Sequence, residues 1–235
     1  MKQHRFCVLN ELKPGKLLIQ DPDLCHQINK VLRFKPGQGL VLFNQEGFEA
    51  EGVIDYLSTE KVEVSLDSPR QPQREPKGDT YLYCAVLKKE NFALVVQKTT
   101  EIGIKNIIPL ITERTVKQAV NLDRLRIIAK EASEQSGRVS LPVIHPVMDW
   151  STALAHAAGH EVNYFFHTGY LSDAKNRYKS QTTGIFIGPE GGWSEKEVAE
   201  AKGKGLVFKS LSPLVLRAET AAILGAYVAV MPDSC

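Results

Sequence analysis

A proline-rich stretch, SPRQPQREPKGD at residues 68–79, separates two parts of the 235-residue chain that have different hydrophobic patterns. Before it, β-branched or alternating segments of the kind found in half-buried strands occur at 39–43, 48–54 and 61–66. They predict a small β-barrel or sandwich over residues 1–70. Because the stretch itself carries prolines and charges but no large apolar side chain, residues 71–79 are predicted to form a linker.

After the linker, apolar strand-like runs alternate with segments of helical periodicity. Residues 81–87 form a continuous apolar run, which is typical of a buried parallel strand. Further strands are predicted at 106–111, 162–167, 184–188 and 206–211, and helices at 92–102, 122–137 and 218–231. The alternation predicts an α/β domain over residues 80–235, with a mainly parallel sheet whose ligands bind beyond the carboxyl ends of the strands.

Composition and charge argue against a protein that binds nucleic acid by bulk charge, a membrane-spanning protein and a secreted protein. With 29 basic and 27 acidic residues the net charge is +2, so a nucleic-acid partner would have to be bound by a local patch and a shaped site rather than by bulk charge. The longest stretch without a charge, residues 220–232, is too short to cross a bilayer, and no secretory signal is present. The chain is therefore predicted to be cytoplasmic. Its four cysteines are far apart, so no metal site is predicted.

A glycine-rich loop, IFIGPEGGWS at 185–194, follows one predicted strand and leads into a helix that begins with a Ser194/Glu197 capping box. Its glycines permit positive φ angles and close approach of a ligand to the backbone. The loop lacks the G-K-[ST] sequence of a phosphate-binding loop. By pattern alone, a tight turn and a ligand-binding loop are equally good interpretations of Gly188, Gly191 and Gly192.

A second loop, LSPLVLRAETA at 211–221, also connects a strand to a helix. Arg217 lies just before that helix, where the helix dipole disfavours a cation, so it is expected to have a partner, either an acid such as Glu219 or a ligand. His167 ends another predicted strand and is either an ordinary loop residue or a ligand contact. Lys98 and Glu101 are best interpreted as a solvated helix face.

Read in order, four motifs resemble the RsmE family of bacterial 16S rRNA methyltransferases, which act at N3 of one uridine. The motifs are VVQKTTEIGI at 95–104, EQSGR at 134–138, FIGPEGGWS at 186–194 and LSPLVLRAETA at 211–221. The amino-terminal HRF at 4–6 and the residues around 26–37 agree with the same family. The resemblance covers nearly the whole chain.

The resemblance implies a two-domain α+β chain: a small amino-terminal PUA-like β-barrel that binds RNA, and a carboxyl-terminal SPOUT-class α/β domain with a trefoil knot. It also implies S-adenosyl-L-methionine as the methyl donor, a homodimer, and 16S rRNA within the small ribosomal subunit as the partner, modified near its 3′ end. No membrane partner is implied.

The resemblance places the donor in three loops: Phe166, His167, Thr168 and Gly169; Ile187, Gly188, Pro189, Glu190, Gly191 and Gly192; and Leu211, Ser212, Leu216, Arg217 and Thr220. For catalysis, Arg217 is the first choice to stabilise the uracil anion and Arg138 the second, while the base is either Glu134 or water. The predicted RNA-binding residues of the amino-terminal domain are His4, Arg5, Arg33 and Lys35.

Two positions depart from the family pattern, L-G-x-R-[IV]-L-R-x-E-T. Ser212 stands in place of the glycine and Leu214 in place of the first arginine. These departures are the only support for one alternative, an RNA-binding ribosome-assembly factor with weak or no catalysis. The other alternative is a SPOUT methyltransferase with a different RNA target.

Overall fold

The computed structural model describes residues 4–116, 119–169 and 181–231, with only the backbone of Lys89. Its contacts divide the chain into two compact units. The N-terminal unit contains residues 1–75 and 133–141, and the C-terminal unit contains residues 76–132 and 142–235. The boundary between residues 75 and 76 falls inside the predicted linker. The sequence pattern does not predict that residues 133–141 pack in the N-terminal unit. No described helix is long and apolar enough to cross a membrane.

Five strands form the sheet of the N-terminal unit: β1 (Arg5–Val8), β2 (Gly15–Ile19), β3 (Gly39–Asn44), β4 (Glu49–Leu57) and β5 (Val62–Leu66). Their order is β1-β3-β4-β5-β2, in which β1 runs parallel to β3 and the other pairs are antiparallel. Among the described residues no pairing joins β1 to β2. The strands predicted at 39–43, 48–54 and 61–66 are present as β3, β4 and β5, but the predicted barrel is not confirmed, because no closed barrel is found among the described residues.

Both faces of this sheet are covered within the unit. Successive side chains of a strand point to opposite faces, so neighbouring residues of β1 and β3 pack on different sides. On one face Phe6 and Leu42 pack with the short helix α1 (Pro22–His26), which continues as a π-helical turn (Gln27–Val31). On the other face Cys7 and Phe43 contact Val139 and the partly buried Leu141. The segment 133–141 therefore contributes to the core of this unit.

Residues 70–75, of which 71–75 lie in the predicted linker, are held by hydrogen bonds and ion pairs. The Arg70 backbone exchanges two hydrogen bonds with Glu49, N–H to oxygen at 2.8 and 2.9 Å. The Glu75 carboxylate accepts hydrogen bonds from the Val139 and Ser140 backbone N–H groups at 2.8 and 3.3 Å. Composition misses this packing because charged side chains, rather than apolar ones, make the contacts.

The C-terminal unit contains a seven-stranded sheet: β6 (Asp79–Ala85), β7 (Asn106–Ile111), β8 (Val143–Ile144), β9 (Met148–Asp149), β10 (Val162–Phe166), β11 (Thr182–Ile187) and β12 (Val207–Lys209). Its order is β12-β10-β11-β6-β7-β8, β9 also pairs with β7, and every pair is parallel. This confirms the predicted α/β unit with a parallel sheet.

Helices cover the two faces of this sheet: α2 (Lys89–Ile102), α3 (Leu122–Ser136), α4 (Trp150–Ala157), α5 (Glu195–Gly203) and α6 (Ala218–Val230). Side chains of α2, α3 and α6 share one apolar cluster with Cys84 and Phe166. Side chains of α4 and α5 share another with Tyr83 and Phe165. Neighbouring residues of one strand thus enter different clusters, as expected for a sheet that is buried on both faces.

The strand order reverses in the middle of this sheet. From β6 the chain proceeds to β7 and β8 on one side, whereas β11, β10 and β12 lie on the other. The switch point therefore lies between β6 and β11. In open α/β sheets, ligands bind at such a point, beyond the carboxyl ends of the strands.

Candidate functional site

A cavity of about 850 Å³ lies at this switch point. Its lining comes from the carboxyl ends of β10 and β11 and the segments that follow them, from the segments that follow β6 and β7, and from residues 215–221, which precede and begin α6. The lining residues are Lys88, Asn91, Arg114, Val116, Phe166, His167, Thr168, Ile187, Gly188, Pro189, Glu190, Gly191, Gly192, Trp193, Val215, Leu216, Arg217, Ala218, Glu219 and Ala221. All of them belong to the C-terminal unit.

The structure brings the three predicted loops together at this cavity. Eleven of the predicted donor-binding residues line it: Phe166, His167, Thr168, Ile187, Gly188, Pro189, Glu190, Gly191, Gly192, Leu216 and Arg217. Gly169, Leu211, Ser212 and Thr220 lie in the same loops but are not among its lining residues. The binding roles themselves stay predictions.

The glycine-rich loop is fixed by the buried indole of Trp193. The Trp193 Nε1–H group donates a hydrogen bond of 3.0 Å to the Phe166 carbonyl oxygen, which joins this loop to the end of β10. A Cβ on Gly188 would lie 3.0 Å from the Trp193 ring, closer than an ordinary contact. Gly192 has a φ of +69°, which side chains rarely adopt. Packing thus favours glycine at Gly188, and backbone conformation favours it at Gly192.

The predicted capping box is confirmed, and its glutamate also reaches a second loop. The Glu197 carboxylate is buried and accepts a hydrogen bond of 2.8 Å from the Ser194 N–H group. Its other oxygen accepts one, also of 2.8 Å, from the Glu113 N–H group in the segment after β7. One side chain therefore holds two of the segments that surround the cavity.

The segment before α6 leaves Arg217 exposed at the cavity. Arg217 occupies the N-cap position of α6, and among the described residues its side chain forms no ion pair or hydrogen bond. The expected partner Glu219 instead accepts a hydrogen bond of 3.5 Å from the Asn91 amide. The Ser212 hydroxyl accepts one of 3.0 Å from the Leu214 N–H group, so serine can make this turn where the family pattern has glycine.

Charges of both signs surround the cavity. Three cationic side chains, from Lys88, Arg114 and Arg217, and two carboxylates, from Glu190 and Glu219, line it. Nearby, burial and these two carboxylates raise the pKa of the fully buried Cys84 thiol. Cys84 is therefore a neutral thiol at physiological pH and not a nucleophile. The cationic and anionic side chains that line the cavity together suit a ligand that carries both positive and negative groups.

Comparison with known proteins assigns this site to a family. A model of the RNA methyltransferase domain matches residues 73–230, which is more than half of the chain. A ribosomal RNA small subunit methyltransferase E from Rickettsia conorii is 30% identical over 247 aligned residues, covering 100% of this chain and 98% of that protein. The chain belongs to the ribosomal RNA small subunit methyltransferase E family. The prediction from the four motifs is confirmed.

Solved structures of methyltransferases show the same fold over the full length. One from Legionella pneumophila, with its cofactor SAM bound, is 29% identical, covers 97% of both chains and has a TM-score of 0.91. The ribosomal RNA small subunit methyltransferase E from Neisseria gonorrhoeae, bound to S-adenosyl methionine, is 25% identical, covers 100% of both chains and has a TM-score of 0.89.

Two predicted catalytic residues, Glu134 and Arg138, lie in the N-terminal unit of this methyltransferase and do not line the cavity. The Glu134 carboxylate accepts a hydrogen bond of 3.1 Å from the Cys7 N–H group. The Arg138 guanidinium is buried and forms an ion pair of 3.2 Å with Glu75. Burial lowers the pKa of Arg138, and the Glu75 carboxylate opposes that effect. These contacts are structural, and the catalytic roles stay predictions.

The four predicted RNA-binding residues also belong to the N-terminal unit. His4, Arg33 and Lys35 are exposed, and Arg33 has a φ of +54°, which is uncommon for a residue other than glycine. The His4 ring packs edge-on against Phe34 at 5.3 Å. Arg5 differs from the other three, because it forms an ion pair of 2.8 Å with the buried Glu49. RNA binding by all four stays a prediction.

Sequence reasoning missed the half of the methyltransferase cavity that follows β6 and β7. Lys88, Asn91, Arg114 and Val116 line it there, although none lies in a glycine-rich or otherwise unusual segment. Their position after two predicted strands could have indicated them, because the carboxyl ends of parallel strands meet at one edge of a sheet and ligands bind there. The interpretation of Lys98 and Glu101 is confirmed, because they form an exposed ion pair of 2.9 Å.

Proposed function

We propose that this chain methylates N3 of one uridine near the 3′ end of 16S rRNA in the small ribosomal subunit, with S-adenosyl-L-methionine as donor. The observation that carries the proposal is the convergence of the three predicted loops on one cavity, in a chain of this family. The cavity volume of about 850 Å³ lies within the usual range for ligand sites, about 300–1,000 Å³.

The residues of the cavity fit this donor. Phe166, Ile187 and Leu216 offer apolar surface for a nucleoside, and backbone is accessible along the glycine-rich loop. The Glu190 and Glu219 carboxylates suit the cationic amino and sulfonium groups. When bound, the donor supplies an activated methyl group, so this chain has mainly to align the uridine with it.

Arg217 is our choice for stabilising the substrate. Uridine N3 becomes a good nucleophile only after its proton leaves, and the resulting charge spreads to O2 and O4. A guanidinium without an internal partner can donate hydrogen bonds to such an oxyanion. Arg217 meets this condition in the cavity, whereas Arg138 is paired with Glu75. Water, with Glu134 as the alternative, would take the proton.

The N-terminal unit is proposed to be a PUA-like domain that binds the RNA, and the C-terminal unit a SPOUT domain with a trefoil knot. Both assignments are supported by family membership. N3 lies on the pairing edge of the base, so the uridine must be unpaired or extruded before it reacts. Exposed His4, Arg33 and Lys35 can contact the surrounding RNA. Because the substrate is ribosomal, we place the reaction in the cytoplasm.

The decisive experiment is a methyl-transfer assay with labelled S-adenosyl-L-methionine. Unmodified small ribosomal subunits, free 16S rRNA and tRNA are offered in parallel, and the label is mapped by mass spectrometry. We expect label at a single N3-uridine near the 3′ end of 16S rRNA, with assembled subunits preferred. Label in tRNA, or at another rRNA position, would favour a different RNA target. Donor binding without any transfer would favour an assembly factor.

We predict that Trp193→Phe weakens donor binding about 5- to 100-fold. The change keeps an aromatic ring but leaves the buried Phe166 carbonyl oxygen without its hydrogen bond, which costs about 1–3 kcal/mol. Isothermal titration of the donor into the purified variant measures the effect. Trp150→Phe is the control for disturbed aromatic packing, since its ring lies 5.2 Å from that of Trp193 and the change removes an indole hydrogen bond to Glu200 at 2.7 Å, outside the cavity lining. Equal donor affinity in the two variants would contradict the prediction.

We further propose a homodimer, supported by the apolar surface of α6 and the segment before it. The only charged residue of α6 is Glu219, yet Leu224 and Tyr227, which share one helix face, are exposed. In the preceding segment Leu214 is 73% and Val215 85% exposed. A helix that is apolar on all sides is normally buried.

Light scattering after size-exclusion chromatography is expected to give twice the mass of a single chain. Leu224→Glu combined with Tyr227→Glu should lower that mass to one chain, because each chain would bury two unpaired carboxylates in the interface. A pair of changes on the exposed face of α3, Arg126→Glu with Lys130→Glu, tests whether added acidic charge alone has this effect. A wild-type protein with the mass of one chain would overturn the proposal.

A further inference from the structure

The donor-binding loops account for only part of the cavity wall. The remaining wall is formed by Lys88 and Asn91, after β6, and by Arg114 and Val116, after β7. None of these four residues belongs to the three loops to which the family resemblance assigns the donor. They belong to the strands on the other side of the switch point, so the cavity has two chemically different halves.

The second half carries positive charge that the chain itself does not neutralise. Among the described residues, the Lys88 ammonium group has no ion pair and no hydrogen bond, although Lys88 lies at the N-cap position of α2, where the helix dipole disfavours a cation. Arg114 donates one hydrogen bond of 3.0 Å, to the Gly191 carbonyl oxygen, and forms no ion pair with an acid in the described part of the chain. Both side chains are exposed at the cavity.

The acids of the cavity do not offset these two cations. Glu219 accepts the Asn91 amide hydrogen bond at 3.5 Å and lies beside Arg217 in sequence. Glu190 lies in the glycine-rich loop, in the half that is assigned to the cationic groups of the donor. Lys88 and Arg114, which line the same half of the cavity, are here called the β6–β7 cation pair.

We infer that the β6–β7 cation pair binds a backbone phosphate of the RNA beside the target uridine. The inference rests on the proposed function. A base that enters the cavity brings its own phosphates to the rim, where exposed lysine and arginine side chains contact them without reading sequence. The other source of an anion is the carboxylate of the donor, and the experiment distinguishes the two.

The test measures RNA binding and donor binding separately in Lys88→Ala and Arg114→Ala. Equilibrium binding of unmodified small subunits is followed over a range of salt concentrations, and donor binding is followed by calorimetry without RNA. Each variant is expected to bind subunits about 10-fold more weakly and to show a smaller salt dependence, by about 0.7 in the slope of log K against log salt. In the transfer assay KM for subunits should rise about 10-fold while kcat stays within about twofold, a split that misfolding would not produce.

Two controls separate charge from structure. Arg114→Lys keeps the charge and should recover most of the subunit affinity, even though the hydrogen bond to Gly191 changes. Lys196→Ala removes an exposed lysine of α5 that does not line the cavity, and it should leave affinity and salt slope unchanged.

Three results would overturn the inference. The first is unchanged subunit affinity and salt slope in both alanine variants. The second is donor binding weakened about 10-fold with subunit binding intact, which would assign the cations to the donor carboxylate. The third is a wild-type protein that binds no subunits. Two other results would instead overturn the proposed function: transfer to another RNA, and no transfer by a wild-type protein that does bind subunits. In both cases the comparison of subunit binding between wild type and the alanine variants would still decide the inference.

Discussion

Replacement of Arg217 by alanine is expected to lower kcat for methyl transfer about 10²- to 10³-fold. That is the typical cost of removing one preorganised donor to a developing oxyanion. Arg217 lines the cavity and has no internal ion pair among the described residues, so its positive charge is available to the uracil anion. Because the interaction is made mainly as charge develops, the loss should fall on kcat more than on KM.

Steady-state kinetics with small subunits, together with donor calorimetry, would measure this effect. Arg217→Lys should recover part of kcat, since the charge remains but the planar fork is lost. Arg126→Ala removes an arginine whose ion pair with Asp123 is exposed on α3, and it should leave kcat unchanged. A variant with normal kcat but donor affinity reduced 100-fold would show that Arg217 holds the donor instead.

The location of the cavity could be predicted because it depends on local pattern. Strand, loop and helix alternate regularly from β6 onward, and the parallel strands place their carboxyl ends at one edge of the sheet. Two loops with unusual composition at those ends, 188–192 and 211–220, were therefore recognisable as candidate ligand loops. Trp193 and the buried Glu197 then fix the first of them by contacts that pattern alone only partly indicated.

The N-terminal unit was less predictable because long-range ion pairs hold part of it. Residues 70–75 look like a linker by composition, yet they bind Glu49 and residues 137–140, which are distant in sequence. In the same way, the polar EQSGR motif does not indicate by its pattern that Glu134 and Arg138 are buried and bonded to Cys7 and Glu75. Hydrophobic periodicity carries no information about such pairings.

The largest effect on stability is expected from Glu49→Gln, which should lower the free energy of unfolding by about 3–5 kcal/mol. The Glu49 side chain is only 1% exposed and forms ion pairs with Arg5 at 2.8 Å, Arg70 at 3.0 Å and Arg74. Removing the central carboxylate leaves the largely buried Arg5 without this counter-ion and takes one partner from the more exposed Arg70 and Arg74. Loss of one partner is the change that costs most in a buried ion pair.

The dependence of stability on pH provides a second measure of the same carboxylate. Burial alone would raise the pKa of Glu49, but hydrogen bonds from Arg74, Arg5 and Arg70 outweigh burial and lower the pKa from 4.5 to about 2. A carboxylate whose pKa is lower in the folded state stabilises the protein fully above pH 4.5, by about 3 kcal/mol here. That contribution is lost as the pH falls from 4.5 towards 2.

Hydrogen exchange of the β3 and β4 amides, measured by mass spectrometry at several pH values, would measure the stability of the N-terminal unit and the dependence of that stability on pH. Glu49→Gln should accelerate exchange at pH 7 and should flatten its change between pH 4.5 and 2. Glu51→Gln is the matched control in the same strand, because the Glu51 side chain is 46% exposed and, within the described part of the chain, forms an ion pair only with Arg70, at 3.3 Å. An exposed pair contributes about 0–1 kcal/mol. If Glu49→Gln lost no more stability than Glu51→Gln, the three arginines would not depend on this carboxylate, and the N-terminal unit would be held by its apolar core alone.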